Sequence, residues 1–304
     1  MLLEHAQIVP LKGLAPYVGG KRILAPHLVK LIERVPHTTY VEPFAGMGGV
    51  FFRRRSRPRV EVINDFSMDV ATLFRILQRH YVAFVQMLQW QLTTRAEFER
   101  LVRTDPNTLT DLERAARFFY LQKTAFGGKV SGRNFGVSPG ERGAFDVTRI
   151  IRELETYHER LAGVVIERLP YAEVFARYDR PETLFFVDPP YMGSERYYGA
   201  NLFGPEDHAR LAGLLAGIKG RFILTINDCP KVRELYGRFR VRSRALGYSV
   251  GGGKRAKTVR ELIVQGGGAD GLAQTQPHNP KQSPGQPTHR HGLARPVEPP
   301  EGTT

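Results

Sequence analysis

The sequence predicts an α/β fold built on an open sheet, and three observations carry that prediction. Leu184-Phe185-Phe186-Val187 is a continuous apolar run that stops at Asp188-Pro189-Pro190-Tyr191. Such a run reads as a strand buried on both faces, and proline, which lacks an N–H, ends it. A second short strand over 39–42 leads into the glycine loop Pro43-Phe44-Ala45-Gly46-Met47-Gly48-Gly49, with a helix expected from about Val50. A third strand, Val60-Glu61-Val62-Ile63, ends in Asn64-Asp65. Open α/β sheets hold ligands at the carboxyl ends of their strands, so Glu42, the glycine loop, Asp65 and Asp188 are expected along one edge.

The residues at that edge suggest a chemistry. Asp188 and the Pro190 carbonyl are two acceptors side by side, and Tyr191 offers a flat face next to them. This set suits an exocyclic amine: two grips for its hydrogens and a platform for the ring that carries it. The glycine loop is neither G-x-G-x-x-G nor a P-loop, which favours a nucleotide-like ligand without a phosphate to cradle. Asp65, 19 residues past Gly46, suits the hydroxyls of a ribose, a role the preceding loop favours; as a helix cap it would also be unremarkable.

Composition narrows the partners. The chain has 304 residues, 41% of them hydrophobic, and a formal net charge of +14. From Gly266 onward three basic residues (Lys281, Arg290, Arg295) balance three acids (Asp270, Glu298, Glu301), so the excess lies on residues 1–265. A basic folded body points to a polyanion such as nucleic acid. The single cysteine, Cys229, excludes a disulfide framework and a cysteine-rich zinc site. No apolar run approaches the roughly 20 residues of a membrane span, and the N-terminus lacks a secretion pattern. A cytoplasmic protein with no metal and no membrane contact is expected.

In chain order, Tyr17-Val18-Gly19-Gly20-Lys21 precedes an amphipathic helix over 23–35. Paired glycines there let backbone approach a ligand, Tyr17 can pack on it, and Lys21 can meet a carboxylate. The run Arg53-Arg54-Arg55-Ser56-Arg57-Pro58-Arg59 reads as phosphate contacts or as a solvated helix end. Residues 67–123 read as helical, for instance 70–80, 81–92 and 112–122. They make the connection to Asp188 far longer than one crossover helix needs, so a helical insertion over 85–160 is expected. Within it, 123–139 is a glycine-rich basic loop carrying Lys123, Lys129, Arg133 and Asn134 with Phe126 and Phe135 interleaved. That composition suits a phosphate backbone and base edges. The sheet resumes at 164–166, Pro170-Tyr171 is placed beside the cofactor's base, and a loop over 196–203 is expected to close over a bound base before a helix over 205–216. Strands are expected at 222–226, 239–241 and 262–264. The last two are joined by a glycine loop with Lys254 and Arg255, further phosphate contacts. The Pro-, Gly-, Gln- and His-rich tail 266–304, including His278, His289 and His291, is expected to be disordered.

Taken in order, Tyr17–Lys21, Glu42–Gly49, Asn64-Asp65 and Asp188–Tyr191 resemble the Dam-like DNA adenine methyltransferases over about residues 8–265. Residues 118–139 look like that family's target-recognition segment, and 227–236 are similar to a stretch after its methyl-transfer centre. The resemblance implies a Rossmann-like methyltransferase fold, a seven-stranded mixed sheet with helices on both faces. The catalytic domain would span 8–84 and 161–265, with 85–160 the helical DNA target-recognition insertion. It implies S-adenosyl-L-methionine as methyl donor and the 6-amino group of a flipped adenine in double-stranded DNA as acceptor. A cognate restriction endonuclease would be a candidate partner. By resemblance, Asp188, Pro189, Pro190 and Tyr191 form the catalytic centre. Tyr17, Gly19, Lys21, Glu42, Pro43, Phe44, Gly46, Asp65, Tyr171 and Asp188 contact the donor, and Lys123, Lys129, Arg133, Asn134, Lys254 and Arg255 face DNA. Three positions depart from the pattern: Tyr17 replaces a common tryptophan, Pro170 a common acid, and Gly127-Gly128 the usual Asn-Gly. Alternative substrates on the same chemistry are cytosine in DNA, adenine in RNA or a protein side chain, the last disfavoured by the basic body; a DNA-binding relative without turnover is the alternative of a different class.

Overall fold

The buried run 183–187 is the centre of the molecule. A computed structural model describes residues 5–136, 143, 145–195, 202–248 and 257–268. The strands, in chain order, are β1 (Ala6–Gln7), β2 (Thr39–Glu42), β3 (Ser56–Arg57), β4 (Val60–Asn64), β5 (Val165–Glu167), β6 (Thr183–Val187), β7 (Arg221–Asn227), β8 (Arg240–Tyr248) and β9 (Lys257–Gly267). Seven of them form one sheet in the order β5-β4-β2-β6-β7-β9-β8, and β1 pairs with β3 separately. β5, β4, β2, β6 and β7 run parallel, whereas β9 is antiparallel to both its neighbours. The sheet is therefore mixed, because the last two strands form a hairpin. Strand order reverses between β2 and β6, and the crevice outside their carboxyl ends is where such sheets bind ligands.

Side-chain alternation divides the sheet's apolar residues between two cores. Leu184 and Phe186 of β6 join one, with Tyr40, Ile63, Ile223 and Ile263. Phe185 and Val187 join the other, with Val41, Val62, Leu224 and Val264. Helices α1 (Ala25–Glu33), α2 (Met68–Arg79), α3 (Tyr81–Leu88), α4 (Arg95–Arg103), α5 (Asp111–Thr124) and α6 (Val147–Leu161) cover the first face; α7 (Tyr171–Tyr178), α8 (Asp207–Leu215) and α9 (Pro230–Tyr236) cover the second. α5 starts on a capping box between Thr110 and Glu113. Its consecutive buried residues Phe118, Phe119, Tyr120 and Leu121 make it a helix enclosed on all sides. Within 85–160 the described residues include the end of α3, α4, α5 and most of α6, and the buried side chains of these helices belong to the same core as α1 and α2.

Three sequence expectations change. The helix expected from Val50 is a single 3-10 turn, Phe51–Arg53. Arg54 is already extended (φ −64°, ψ 152°), and the chain runs on into β3, which pairs with β1, so the turn is not continued into a helix. The basic run that follows is not a surface feature at Arg54, whose guanidinium is buried against Glu61. Finally, the tail begins later than 266, because Gly266 and Gly267 pair with Phe222 and Arg221 as the end of β9. Gly266 is a packing requirement: a Cβ there would lie 2.8 Å from Phe239 and 2.9 Å from Phe222. Lys254, Arg255, the loop 196–201, residues 137–139 and the histidines of the tail lie outside the described residues. Among the described residues no helix is long and apolar enough to cross a membrane, and no group of three or more His, Cys, Asp or Glu is placed to hold a metal.

Candidate active site

A cavity of about 910 Å³ opens at the carboxyl ends of β2, β4 and β6. Its floor is fixed by Asn64, a buried side chain at the end of β4. The amide donates to the carbonyls of Pro43 (2.8 Å) and Leu169 (3.1 Å) and accepts from the Leu169 N–H (2.8 Å). One side chain thus ties together the chain segments leaving β2 and β5.

Asp65 follows directly. One carboxylate oxygen accepts the Gly46 N–H and the other the Ser67 N–H, both at 2.9 Å. Burial pushes its carboxyl up to about 6, against the pull of those two donors. It holds the glycine loop against the turn that enters α2 and lines the cavity, but it does not cap that helix: the N-cap is Ser67, with no side-chain cap bond, so the cap reading is not met. Gly46 has φ +51°, and a Cβ there would meet the Tyr17 ring at 3.0 Å. The absence of a side chain is what lets Tyr17 lie on the loop. Glu42, fully buried at the end of β2, accepts the Tyr40 hydroxyl at 2.7 Å. Burial raises its carboxyl to about 8.

Asp188 sits at the end of β6. Lys21 reaches it at 2.8 Å, and the Thr225 hydroxyl donates to it at 2.8 Å. Lys21 is only 3% exposed; its ammonium also donates to the Gly19 carbonyl and lies 4.7 Å from the centre of the Tyr191 ring. Burial raises the Asp188 carboxyl, with Lys21 opposing. The side chain keeps 19% of its surface on the cavity side of the strand. Behind it, Asn227 at the end of β7 clamps the Met192 backbone from both sides: its Oδ1 accepts the N–H at 3.0 Å and its Nδ2 donates to the carbonyl at 3.1 Å. That clamp fixes the chain just after Tyr191.

An aromatic corner closes the far wall. The rings of Phe44, Tyr171 and Phe203 lie 5.6 to 5.8 Å apart. The Tyr171 hydroxyl donates to Asp207 at 3.0 Å, and burial with that neighbour raises the phenol.

Every residue expected to contact the donor lines this one cavity: Tyr17, Gly19, Lys21, Glu42, Pro43, Phe44, Gly46, Asp65, Tyr171 and Asp188; Pro190 lines it as well. Tyr191 lies beside it under Lys21. The basic residues of the insertion are dispersed. Lys123 lines the cavity's other end with Lys12 and Arg149, near Glu153. Arg133 turns inward: its guanidinium donates to Gln122 at 2.9 Å and to the Lys129 carbonyl at 3.1 Å, and burial pushes it down to about 10. It braces the loop that was expected to present it. Lys129 is half-buried and Asn134 exposed. Sequence reasoning missed Thr225, Asn227 as a clamp, and Asp207. Their only signal was position at the end of β7 or the start of a helix, which many ordinary residues share.

Comparison with known proteins identifies the family. The family of D12 class N6 adenine-specific DNA methyltransferases matches residues 17–249. A Type II methyltransferase, M.CviBI of Paramecium bursaria Chlorella virus NC1A, is 26% identical over 232 residues, 74% of this chain and 86% of its own. M1.LlaDCHI, a Type II methyltransferase of Lactococcus lactis subsp. cremoris, is 26% identical over 262 residues, 79% of this chain and 90% of its own. M.MjaIII, from Methanocaldococcus jannaschii, is 25% identical, covering 66% of this chain and 78% of its own. The chain belongs to the D12 class of N6 adenine-specific DNA methyltransferases.

Proposed function

We propose that the chain moves the methyl group of S-adenosyl-L-methionine to the 6-amino group of adenine within a specific site of double-stranded DNA. One observation carries the reading: Asp188 and Pro190 share a cavity with the glycine loop and Asp65. A methyl donor and an amine acceptor must meet in one enclosed space, and this is such a space.

The residues present fit this donor. The loop opens where Gly46 has no side chain. Asp65 and Glu42 border it as acceptors and Lys21 as a cation, which suits a ligand with hydroxyls and a charged amino-acid end. Asp65 and the 43–46 loop would hold its ribose, and Tyr17 and Lys21 would border its amino-acid end. When bound, the donor supplies a methyl group on a positively charged sulfur.

The chain's own residues do the orienting. The target base must leave the duplex, at a cost of a few kcal/mol, and Tyr191 offers it a stacking face. The Asp188 carboxylate and the Pro190 carbonyl accept the two amine hydrogens, which turns the nitrogen lone pair away from them. Lys21 and Thr225 hold Asp188 in the geometry that accepts. Holding reactants in this way supplies a large share of catalysis in two-substrate reactions. The exposed part of the 126–136 loop and the basic body track phosphates, which position DNA without reading it. Lys129 and Asn134, with Lys254 and Arg255, are the DNA contacts in this reading. The enzyme would act in the cytoplasm, paired with a restriction endonuclease whose site it protects.

The test supplies radiolabelled donor with unmethylated and methylated duplex DNA, RNA and protein, followed by nucleoside analysis. The expected product is N6-methyladenine in DNA. Asp188→Ala is expected to lose turnover and to retain most DNA affinity. Label in another nucleoside, or full turnover by Asp188→Ala, would overturn the proposal.

A further inference from the structure

We infer that Asp207 reads the donor's purine: its carboxylate accepts the exocyclic amine of the adenine, while Phe44 and Phe203 lie against the ring. The inference rests on the donor reading above.

The argument begins with the aromatic corner. Phe44, Tyr171 and Phe203 come from three separate segments and converge on one wall of the cavity, together with Leu202 and Pro170. A flat apolar corner beside a ribose position suits a purine, but stacking alone does not distinguish one purine from another. Distinguishing them requires a polar group opposite the ring edge. Pro170 has no side-chain acceptor, and its carbonyl already takes the Glu173 N–H at 2.9 Å.

Asp207 is the carboxylate at this corner. The cavity's other acids are engaged elsewhere: Glu42 by Tyr40, Asp65 by the backbone of Gly46 and Ser67, Asp188 by Lys21 and Thr225, Glu153 by Arg149. Asp207 is held from two sides. Its Oδ1 accepts the Tyr171 hydroxyl at 3.0 Å and faces Arg210 at 3.4 Å; its Oδ2 accepts the Gly204 N–H at 2.8 Å. A carboxylate oxygen accepts two hydrogens, so Oδ2 keeps one acceptor site. The side chain is 20% exposed and lines the cavity. An amine donates to such a site, whereas a 6-oxo group would face it with a second negative pole. Tyr171 is then a positioning residue, acting through Asp207. The competing role for Asp207 is purely structural, as an acid in the first turn of α8 bonded to the Gly204 N–H.

Calorimetry separates the two with S-adenosylhomocysteine and S-inosylhomocysteine, which differ in the 6-amino against the 6-oxo group. The full-length wild-type chain is expected to bind the adenosyl compound roughly tenfold or more tightly, since a hydrogen bond to a charged group is at stake. Asp207→Asn is expected to bring the ratio of the two dissociation constants to about one or to invert it, because the amide can donate to the 6-oxo group. Tyr171→Phe is expected to weaken the adenosyl compound and keep its preference. An unchanged ratio in Asp207→Asn overturns the inference in favour of the structural role. Equal affinities in the wild-type chain overturn it without any variant. Failure of both compounds to bind the wild-type chain overturns the donor reading, and this inference with it.

Discussion

Glu61 sits in the middle of β4 with its side chain wholly buried, and three arginines converge on it. Arg160 from α6 binds both oxygens at 2.7 Å, Arg57 reaches one at 3.0 Å, and Arg54 contacts the other. Arg54 and Arg160 are 1% and 5% exposed, and burial pushes each down to about 10. Glu61→Gln keeps the shape and removes the carboxylate bonded to all three. Stripping one partner from a buried ion pair costs about 3–5 kcal/mol. At roughly 2–4 °C per kcal/mol for a body of this size, Tm should fall by about 6–20 °C. Arg57 is 30% exposed, so Arg57→Gln should cost only about 0–1 kcal/mol. Thermal unfolding followed by circular dichroism measures both. If Glu61→Gln melts within about 2 °C of the parent, the cluster is solvated and the reasoning from burial is wrong.

Four further outcomes are expected. Asp65→Ala should weaken donor binding by calorimetry, since it removes the acceptor that fixes the Gly46 N–H; an unchanged dissociation constant would remove Asp65 from the donor site. Glu42 carries a folded-state pKa of about 8 against an ordinary 4.5, so the folded state holds its proton more tightly and the wild-type chain should lose stability as pH rises from about 4.5 to about 8. Glu42→Gln should flatten that slope in denaturant titrations at successive pH values, and an equal slope in both would show the group to be solvated. Asn227→Ala deletes two hydrogen bonds to Met192 and should lower stability by roughly 1–3 kcal/mol, with a raised KM for DNA; parental kinetics would mean that the clamp is incidental. DNA affinity should fall steeply with salt, log K against log[salt] losing about 0.9 per phosphate contact, and Lys129→Ala should reduce that slope by about one contact if the loop lies on the backbone.

Much of the sheet was legible because its signals are local. The run 184–187 could only be buried, prolines stopped it, and acids after β4 and β6 marked the ligand edge. The same locality explains the misses. Arg54 stands in a run of like charges that reads as surface, and Glu61 in β4, with the Tyr40 ring in β2, draws it inward. The turn after Gly49 looked helical because a glycine loop usually leads into one, yet the chain extends at Arg54 to pair with β1, a strand much earlier in sequence. Arg133 carried the right side chain for DNA, but Gln122, 11 residues earlier, claims it. Asp207 carried no motif at all: the hydroxyl that holds it belongs to Tyr171, 36 residues away. Residues whose function depends on a neighbour distant in sequence leave no trace in a single chain read end to end.

Gly128 carries a practical consequence for engineering. A Cβ at this position would lie 2.6 Å from the backbone of Pro16 and Tyr17, and Gln122 bonds to the carbonyls of both Pro16 and Gly128. The loop that would face the duplex is thus seated on the peptide that carries Tyr17. Exchanging 125–136 with a relative to redirect sequence choice would disturb the opposite wall of the pocket unless residues 16, 17 and 122 travel with it, so a graft should be drawn around that joint.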